Sequence, residues 1–381
     1  MRAARLPRSV LDMNSERFDT VVIGGGQAGL SVGYHLSRRD RSFVILDANE
    51  RIGDSWRRRT WNSLRLFTPA RYDGLPGWGF PAPGWSFPTR DQMADYLEAY
   101  VERFELPVRT GVCVDGLSRN EDRYVLSCGE RQLEAERVVI ASGFYRTPIV
   151  PDFASELDPR IVQMHSSEYR DPSQLRAGDV LIVGAGNSGA DIAIEVCRSH
   201  RTWLSGPDKG AVPVRIDTKR YRLVMPLLWF VASHVLTVRT PLGRKVRPHV
   251  LRSGAPLIRV KPEDLAAAGV ERVPRTVGIE SGLPTLEDGR VLDVANVIWC
   301  TGFHPDFGWI DLPVFDEAGE PIQERGVVPS EPGLYFVGLD FLYSFVSENV
   351  GGVGRDAKHI AKHIASRPAH APAAAPALAP A

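Results

Sequence analysis

One turn occurs twice in this chain, and that repetition constrains the fold more than any other feature. VVIGGGQAGLS, residues 21–31, is an apolar β-branched run, a Gly-x-Gly-x-x-Gly on Gly24, Gly26 and Gly29, and a helix-favouring stretch. VLIVGAGNSGADIA, residues 180–193, repeats the pattern on Gly184, Gly186 and Gly189. Glycines at such a strand-to-helix turn let the backbone bend tightly and approach a pyrophosphate. The helix behind them offers free N–H groups and the positive end of its dipole. Gln27 and Ala28 in the first copy, and Asn187 and Ser188 in the second, sit between the glycines and join the candidate phosphate contacts. The chain is therefore expected to bind two dinucleotides on an α/β fold.

The strand after each turn separates the two sites. After the first turn, RSFVILDANE supplies Asp47 at the end of an apolar strand, 23 residues beyond Gly24, where an acid holds a ribose hydroxyl. After the second, the matching strand ends near Ser205 with no carboxylate. A neutral or basic strand end admits a 2′-phosphate, so the second site reads as an NADP site. Lys209, Arg201 or Arg215 could supply the positive charge, and spacing does not choose among them.

Composition narrows the class. Lys plus Arg and Asp plus Glu are equal at 46 each in 381 residues, so no global charge points to nucleic acid. Four cysteines with no Cys-x-x-Cys pair argue for a reducing cytoplasm, without a disulfide framework or a zinc site. Residues 1–17 lack the apolar core of a signal peptide and read as a disordered leader, and 367–381 as a Pro/Ala tail.

Further stretches carry a family resemblance. VVIASGF (138–144) and VIWCTGF (297–303) are two apolar strands ending in a small residue, Gly and Phe. IVQMHSSEYRDP places His165 and Tyr169 four apart between the glycine turns, and RIGDSWRRR follows Asp47 with Arg51, Gly53 and Trp56. GLYFVGLDF carries Gly338 and Asp340. Together these resemble the class B flavin-dependent monooxygenases over roughly residues 18–365. Among them the pattern is most similar to the shorter members, including the plant indole-3-pyruvate monooxygenases and bacterial relatives. Two positions depart from the family pattern. The leading Phe and Gly of the His165 stretch fall on Pro159 and Ile161, and WNSLRLFT puts Phe67 where an Asn is usual, with Asn62 displaced.

The resemblance implies two Rossmann-like domains, the NADP domain inserted in the FAD domain: 18–150 and 299–366 for FAD, 151–298 for NADP. It implies FAD on Gly24, Gly26, Gln27, Ala28, Gly29 and Asp47, with Gly53, Trp56, Gly338 and Asp340 around the flavin. NADPH then falls to Gly184, Gly186, Asn187, Ser188, Gly189, Ser205 and Lys209. The implied activity is NADPH-consuming insertion of one oxygen atom into a small apolar or aromatic substrate through a C4a-(hydro)peroxyflavin. That chemistry needs molecular oxygen and no side-chain nucleophile. His165 and Tyr169 are the catalytic candidates, with His165 read first as a packing and hinge residue. Two alternatives stay open: a flavin reductase or oxidase passing electrons to quinone or oxygen, and a nucleotide-binding redox sensor or transport-associated regulator.

Two segments concern the substrate. Residues 68–100 are rich in aromatic residues and proline and are expected to line the pocket. Residues 223–238 are apolar, within an insertion at 215–255. From Arg215 to Arg247 there are eight Lys or Arg against one acid, Asp217. A peripheral membrane contact through 215–247, a lid over the substrate channel and a buried hairpin are the three readings.

Overall fold

The computed structural model describes residues 16–143, 147–216, 218–253 and 256–367. Most of the expected leader, the Pro/Ala tail beyond 367, Phe144 and Asp217 lie outside the described residues. The leader was expected to reach residue 17, but Glu16 and Arg17 already belong to the first strand.

The first sheet uses β1 (Glu16–Ile23), β2 (Phe43–Leu46), β3 (Val108–Arg109), β4 (Gly116–Asn120), β5 (Arg123–Cys128) and β6 (Arg131–Ile140). Their order is β3-β2-β1-β6-β5-β4. All four residues of β2, FVIL, are buried, as expected of a parallel strand covered on both faces. Next come β7 (Thr147–Pro148), β8 (Val162–His165), β9 (Val180–Val183), β10 (Thr202–Ser205) and β11 (Glu271–Val273). A hairpin of β12 (Thr276–Glu280) and β13 (Leu283–Leu286) precedes β14 (Asn296–Trp299), β15 (Phe303–His304) and β16 (Leu334–Phe336). The second sheet runs β11-β10-β9-β14-β8, all parallel.

The second sheet is inserted in the first. Besides pairing with β1, β6 is long enough to serve two more partners: residues 131–135 pair with β5, and Val138–Ile140 pair with the returning β16. The two chain crossings between the sheets run side by side, because β7 pairs antiparallel with β15. They are tied further by the Ile149 N–H donating to the Gly302 carbonyl at 2.9 Å.

The described residues include eight α-helices: α1 (Gln27–Ser37), α2 (Asp54–Arg58), α3 (Arg90–Arg103), α4 (Asn187–Val196), α5 (Lys219–Phe230), α6 (Pro241–Ser253), α7 (Pro262–Ala267) and α8 (Gly354–Ala365). α8 packs on α1, and Ile360, Ala361 and Ile364 join its buried core. The expected insertion contains α5, a π-helical turn at Val231–Val235, and α6. It reaches across to the first sheet's return segment: the Val238 N–H donates to the Tyr343 carbonyl at 2.9 Å, and the Phe345 N–H to the Leu236 carbonyl at 3.0 Å.

Candidate functional site

The two glycine turns match feature by feature. Gly24 and Gly184 both take φ +111°, a conformation that L side chains rarely adopt. A Cβ on Gly24 would lie 2.3 Å from the Ala141 carbonyl oxygen, and one on Gly184 would lie 2.2 Å from that of Cys300. On Gly29 it would meet the Gly24 carbonyl oxygen at 1.9 Å, and on Gly189 the Gly184 carbonyl oxygen at 1.9 Å. These four glycines thus let strand, turn and helix close on one another. Gly26 and Gly186 differ, since a Cβ there would meet nothing within 4 Å. Each of them caps its helix without a side-chain hydrogen bond. The first-turn N–H groups of α1 and α4 therefore stand behind a bare glycine, a cradle suited to a diphosphate. Gln27 and Ser188 are half-buried on these opening turns, and Ala28 is buried against the sheet.

At the end of β2, Asp47 is 8% exposed. One carboxylate oxygen accepts the Gly25 N–H at 2.6 Å, and the other accepts the Asn49 N–H and its side-chain amide, each at 2.8 Å. A carboxylate has about four acceptor positions, so capacity for a ribose hydroxyl remains. The sequence did not mark Asn49, which orients the acid. Gly338 takes φ +80°, and a Cβ on it would sit 2.9 Å from that of Ala28, which brings the returning chain against the first turn of α1. Two residues on, Asp340 carries a buried carboxylate oxygen with no partner. Asp356, in the first turn of α8, also has a buried unpartnered oxygen, and burial pushes its pKa up to about 6. The orphaned acceptor of Asp340, two residues from the Gly338 contact with α1, fits a ligand rich in hydroxyl and ring N–H groups, such as FAD.

The second site ends differently. The Ser205 hydroxyl is fully buried and spent on the next strand, donating to the Pro274 carbonyl at 2.8 Å and meeting the Thr276 hydroxyl at 2.8 Å. Lys209 is exposed. Arg201 pairs with Glu271 at 2.8 Å, and Arg215 with Asp264 at 2.9 Å. A residue that spacing could not find comes from β11. Arg272 donates to the Gly206 carbonyl at 2.9 Å, and a Cβ on Gly206 would lie 3.1 Å from the Ala185 amide of the glycine turn. Strand pairing alone brings Arg272 there, because β11 lies beside β10 although the whole insertion separates them in sequence. The Asn187 amide is also engaged, donating to the Pro256 carbonyl at 3.1 Å and accepting the Ile258 N–H at 2.9 Å.

Comparison with known proteins bears on this geometry. The family model described as pyridine nucleotide-disulphide oxidoreductase matches residues 21–205, which include both turns. An uncharacterised CzcO-like oxidoreductase of Geobacillus kaustophilus is 38% identical over 345 residues, covering 90% of this chain and 97% of the relative. A probable indole-3-pyruvate monooxygenase of Arabidopsis thaliana, YUCCA7, is 26% identical, covering 90% and 86%. The solved flavin-containing monooxygenase of Stenotrophomonas maltophilia matches with a TM-score of 0.75 and 29% identity, covering 92% of this chain and 98% of that one. The chain belongs to the class B flavin-dependent monooxygenases.

The remaining marked residues of this flavin monooxygenase relative have structural duties. His165 is 2% exposed, with Nδ1 2.9 Å from the Ser167 hydroxyl and Nε2 3.1 Å from the Gly302 carbonyl. Burial holds its pKa below the usual histidine value. Its ring lies edge-on to Phe303, so it clamps the end of β8 to the crossing between domains. Tyr169 is fully buried, and its hydroxyl donates to Glu195 on α4 at 3.1 Å. Both were catalytic candidates; the polar atoms of His165 meet Ser167 and the Gly302 carbonyl of the crossing, and that of Tyr169 meets Glu195 within the second domain. Gly53 takes φ +84°, and a Cβ there would meet the Ala94 carbonyl oxygen at 2.7 Å, so it is required by the approach of α3. Trp56 is half-buried against the first core. The Asn62 amide donates to Asp171 at 2.8 Å, and Phe67 is 41% exposed. None of the four cysteines is paired, and burial pushes the Cys300 thiol up to about 12.

Proposed function

We propose that this oxidoreductase consumes NADPH and inserts one oxygen atom into a small apolar or aromatic substrate. The observation that carries the reading is the paired turns: two equivalent diphosphate cradles, one ending on Asp47 and the other on an uncharged strand with Arg272 beside it. Bound FAD would supply the hydride acceptor and the ring that activates oxygen. The chain's own contribution is to hold and shield. Gly26 and the N-terminus of α1 would hold the FAD diphosphate, Asp47 the ribose, and Asp340 a further hydroxyl. Gly186 and α4 would hold the NADPH diphosphate, with Arg272 toward the 2′-phosphate.

Shielding comes from the aromatic stretch 68–100. Tyr72, Trp85 and Phe87 pack with Tyr221, Met225 and Trp229 of the insertion, forming an apolar wall where the domains meet. Such a wall excludes water, which the oxygenation chemistry requires. Aromatic lining also supports an apolar or aromatic substrate, in keeping with the indole-3-pyruvate monooxygenase relatives. Four unpaired cysteines support a cytoplasmic location.

One observation favours a second reading, an oxidase or reductase: Asn62 is held by Asp171, and Phe67 stands where the family has an amide. Rapid mixing of the NADPH-reduced protein with oxygen separates the two. A transient band at roughly 360–380 nm that outlives mixing is expected of the monooxygenase. Direct return of the oxidised spectrum with stoichiometric peroxide, in the presence of every substrate tried, would favour the oxidase.

A further inference from the structure

Helix α5 is apolar on two opposite faces, and only one of them is covered. Tyr221 and Met225, 4% and 8% exposed, and the half-buried Trp229 face the aromatic wall; Tyr72 and Trp229 ring centroids are 4.9 Å apart. On the far side, Leu223 is 81% exposed, Leu227 63% and Phe230 54%. At about 100° per residue these three fall within about 60° of one another, a single stripe. α6 adds Leu242 and Leu251 to the exposed apolar surface. A helix apolar all round is ordinarily buried or in contact with lipid.

Charge selects the partner. On the same helical projection Lys219 and Arg220 flank the Leu223 stripe at about 40° and about 60° from Leu223 itself. Lys219, Arg220, Arg222, Arg239, Arg244 and Lys245 are all exposed, and residues 219–253 contain no Asp or Glu. A second copy of this chain docked on the same face about a two-fold axis would set these cations against their own equivalents. An anionic lipid surface matches both the stripe and its flanks. No described helix is long and apolar enough to cross a membrane, so the segment would lie on the surface rather than span it.

We propose that the exposed face of α5, with the basic residues of α5 and α6, docks this protein on membranes that carry anionic phospholipid. The stripe enters the interface between headgroups and acyl chains, and the cations engage lipid phosphates. The turn after α5 is tied to the first domain: Arg355 at the start of α8 donates to the Ser233 carbonyl and meets His234 Nε2 at 3.0 Å. Docking of this kind does not depend on which substrate is oxidised.

The test uses the purified full chain with FAD bound, floated with vesicles of phosphatidylcholine alone or with phosphatidylglycerol added. The wild type is expected to bind anionic vesicles about tenfold better than neutral ones, with the preference shrinking in high salt. Leu223→Glu with Leu227→Glu should lower binding to anionic vesicles by at least about tenfold while flavin reduction by NADPH is unchanged. Lys219→Glu with Arg220→Glu should remove most of the preference for anionic lipid. Wild-type protein that stays with the aqueous fraction at millimolar lipid would overturn the proposal. So would a leucine variant that binds as well as wild type. A halving of solution mass in the leucine variant, without any vesicle binding by the wild type, would assign the face to a second copy instead.

Discussion

The two glycine turns are nearly the same object, and their surroundings are not. Gly24 and Gly184 share a φ of +111°, and Gly29 and Gly189 share a 1.9 Å approach to the preceding glycine's carbonyl oxygen. Yet the first turn leans on Asp47 through the Gly25 N–H, whereas the second has Ala185 in place of Gly25 and a buried Ser205 in place of the acid. Backbone geometry that grips a diphosphate is fixed by sterics and repeats faithfully. The two units differ at the strand end, Asp47 in one and Ser205 in the other, and on the proposed function that end selects the nucleotide.

The largest effect should come from closing the cradles. Gly29→Ala places a Cβ 1.9 Å from a backbone oxygen that cannot swing aside, so the strand-to-helix turn must open. We expect protein that is insoluble or free of flavin. Gly189→Ala meets the same obstacle in the second domain and should leave flavin bound while raising the KM for NADPH by more than about tenfold. Flavin absorbance and steady-state reduction of the two purified variants measure this. Equal flavin loss in both would break the assignment of one nucleotide to each turn.

Buried acids give the second contrast. In the second domain Asp191 is paired with Arg259 at 2.6 Å. In the first, Asp73 has only the Thr68 hydroxyl, its other oxygen is buried without a partner, and burial pushes its pKa up to about 7. The native state therefore keeps a proton that the unfolded chain releases near pH 4. Stability from this group is full below about pH 4 and is lost as pH rises toward about 7. Asp73→Asn removes that loss, a gain of at most about 4 kcal/mol at pH 8. Melting temperatures at pH 5 and pH 8 should show a gain that grows with pH; a gain equal at both would mean that Asp73 is not protonated in the folded protein.

Much of this contrast was legible in the sequence, because the glycine spacing and Asp47 act within single strand–turn–helix units. The fold class was legible for the same reason. Ser205 marked the right strand end, but its hydroxyl turned out to bind Thr276 and Pro274. Arg272 was not legible, since only the parallel pairing of β10 with β11 carries it to Gly206. His165 and Tyr169 were conspicuous for their spacing; their burial and their hydrogen bonds to Ser167, Gly302 and Glu195 depend on three-dimensional packing that spacing does not report. Orphaned oxygens on Asp340 and Asp356 depend on three-dimensional enclosure that no spacing rule reports.

A smaller effect is expected at the acid itself. Asp47→Ala removes the acceptor for Gly25 and Asn49 and a charged partner for the ribose. Hydrogen bonds to charged groups contribute about 1.5–3 kcal/mol, so FAD affinity should fall roughly 10- to 100-fold. The KM for NADPH in the flavin-reconstituted variant should stay within about twofold of wild type. Undiminished flavin in the purified variant would remove Asp47 from the site.

The smallest predicted effect decides how far the asymmetry reaches. If the second site is built for NADP, Arg272→Ala should raise the KM for NADPH about tenfold and leave that for NADH nearly unchanged, because only the former carries the 2′-phosphate. The same variant also loses the bond to the Gly206 carbonyl, which supports the turn for either nucleotide. Arg272→Lys helps to separate the two roles: it keeps the charge while giving up the guanidinium geometry. Recovery of the NADPH preference by lysine would assign Arg272 to the phosphate. Equal losses for both nucleotides, unrelieved by lysine, would leave Arg272 as a brace for Gly206 and return the question of charge to Lys209.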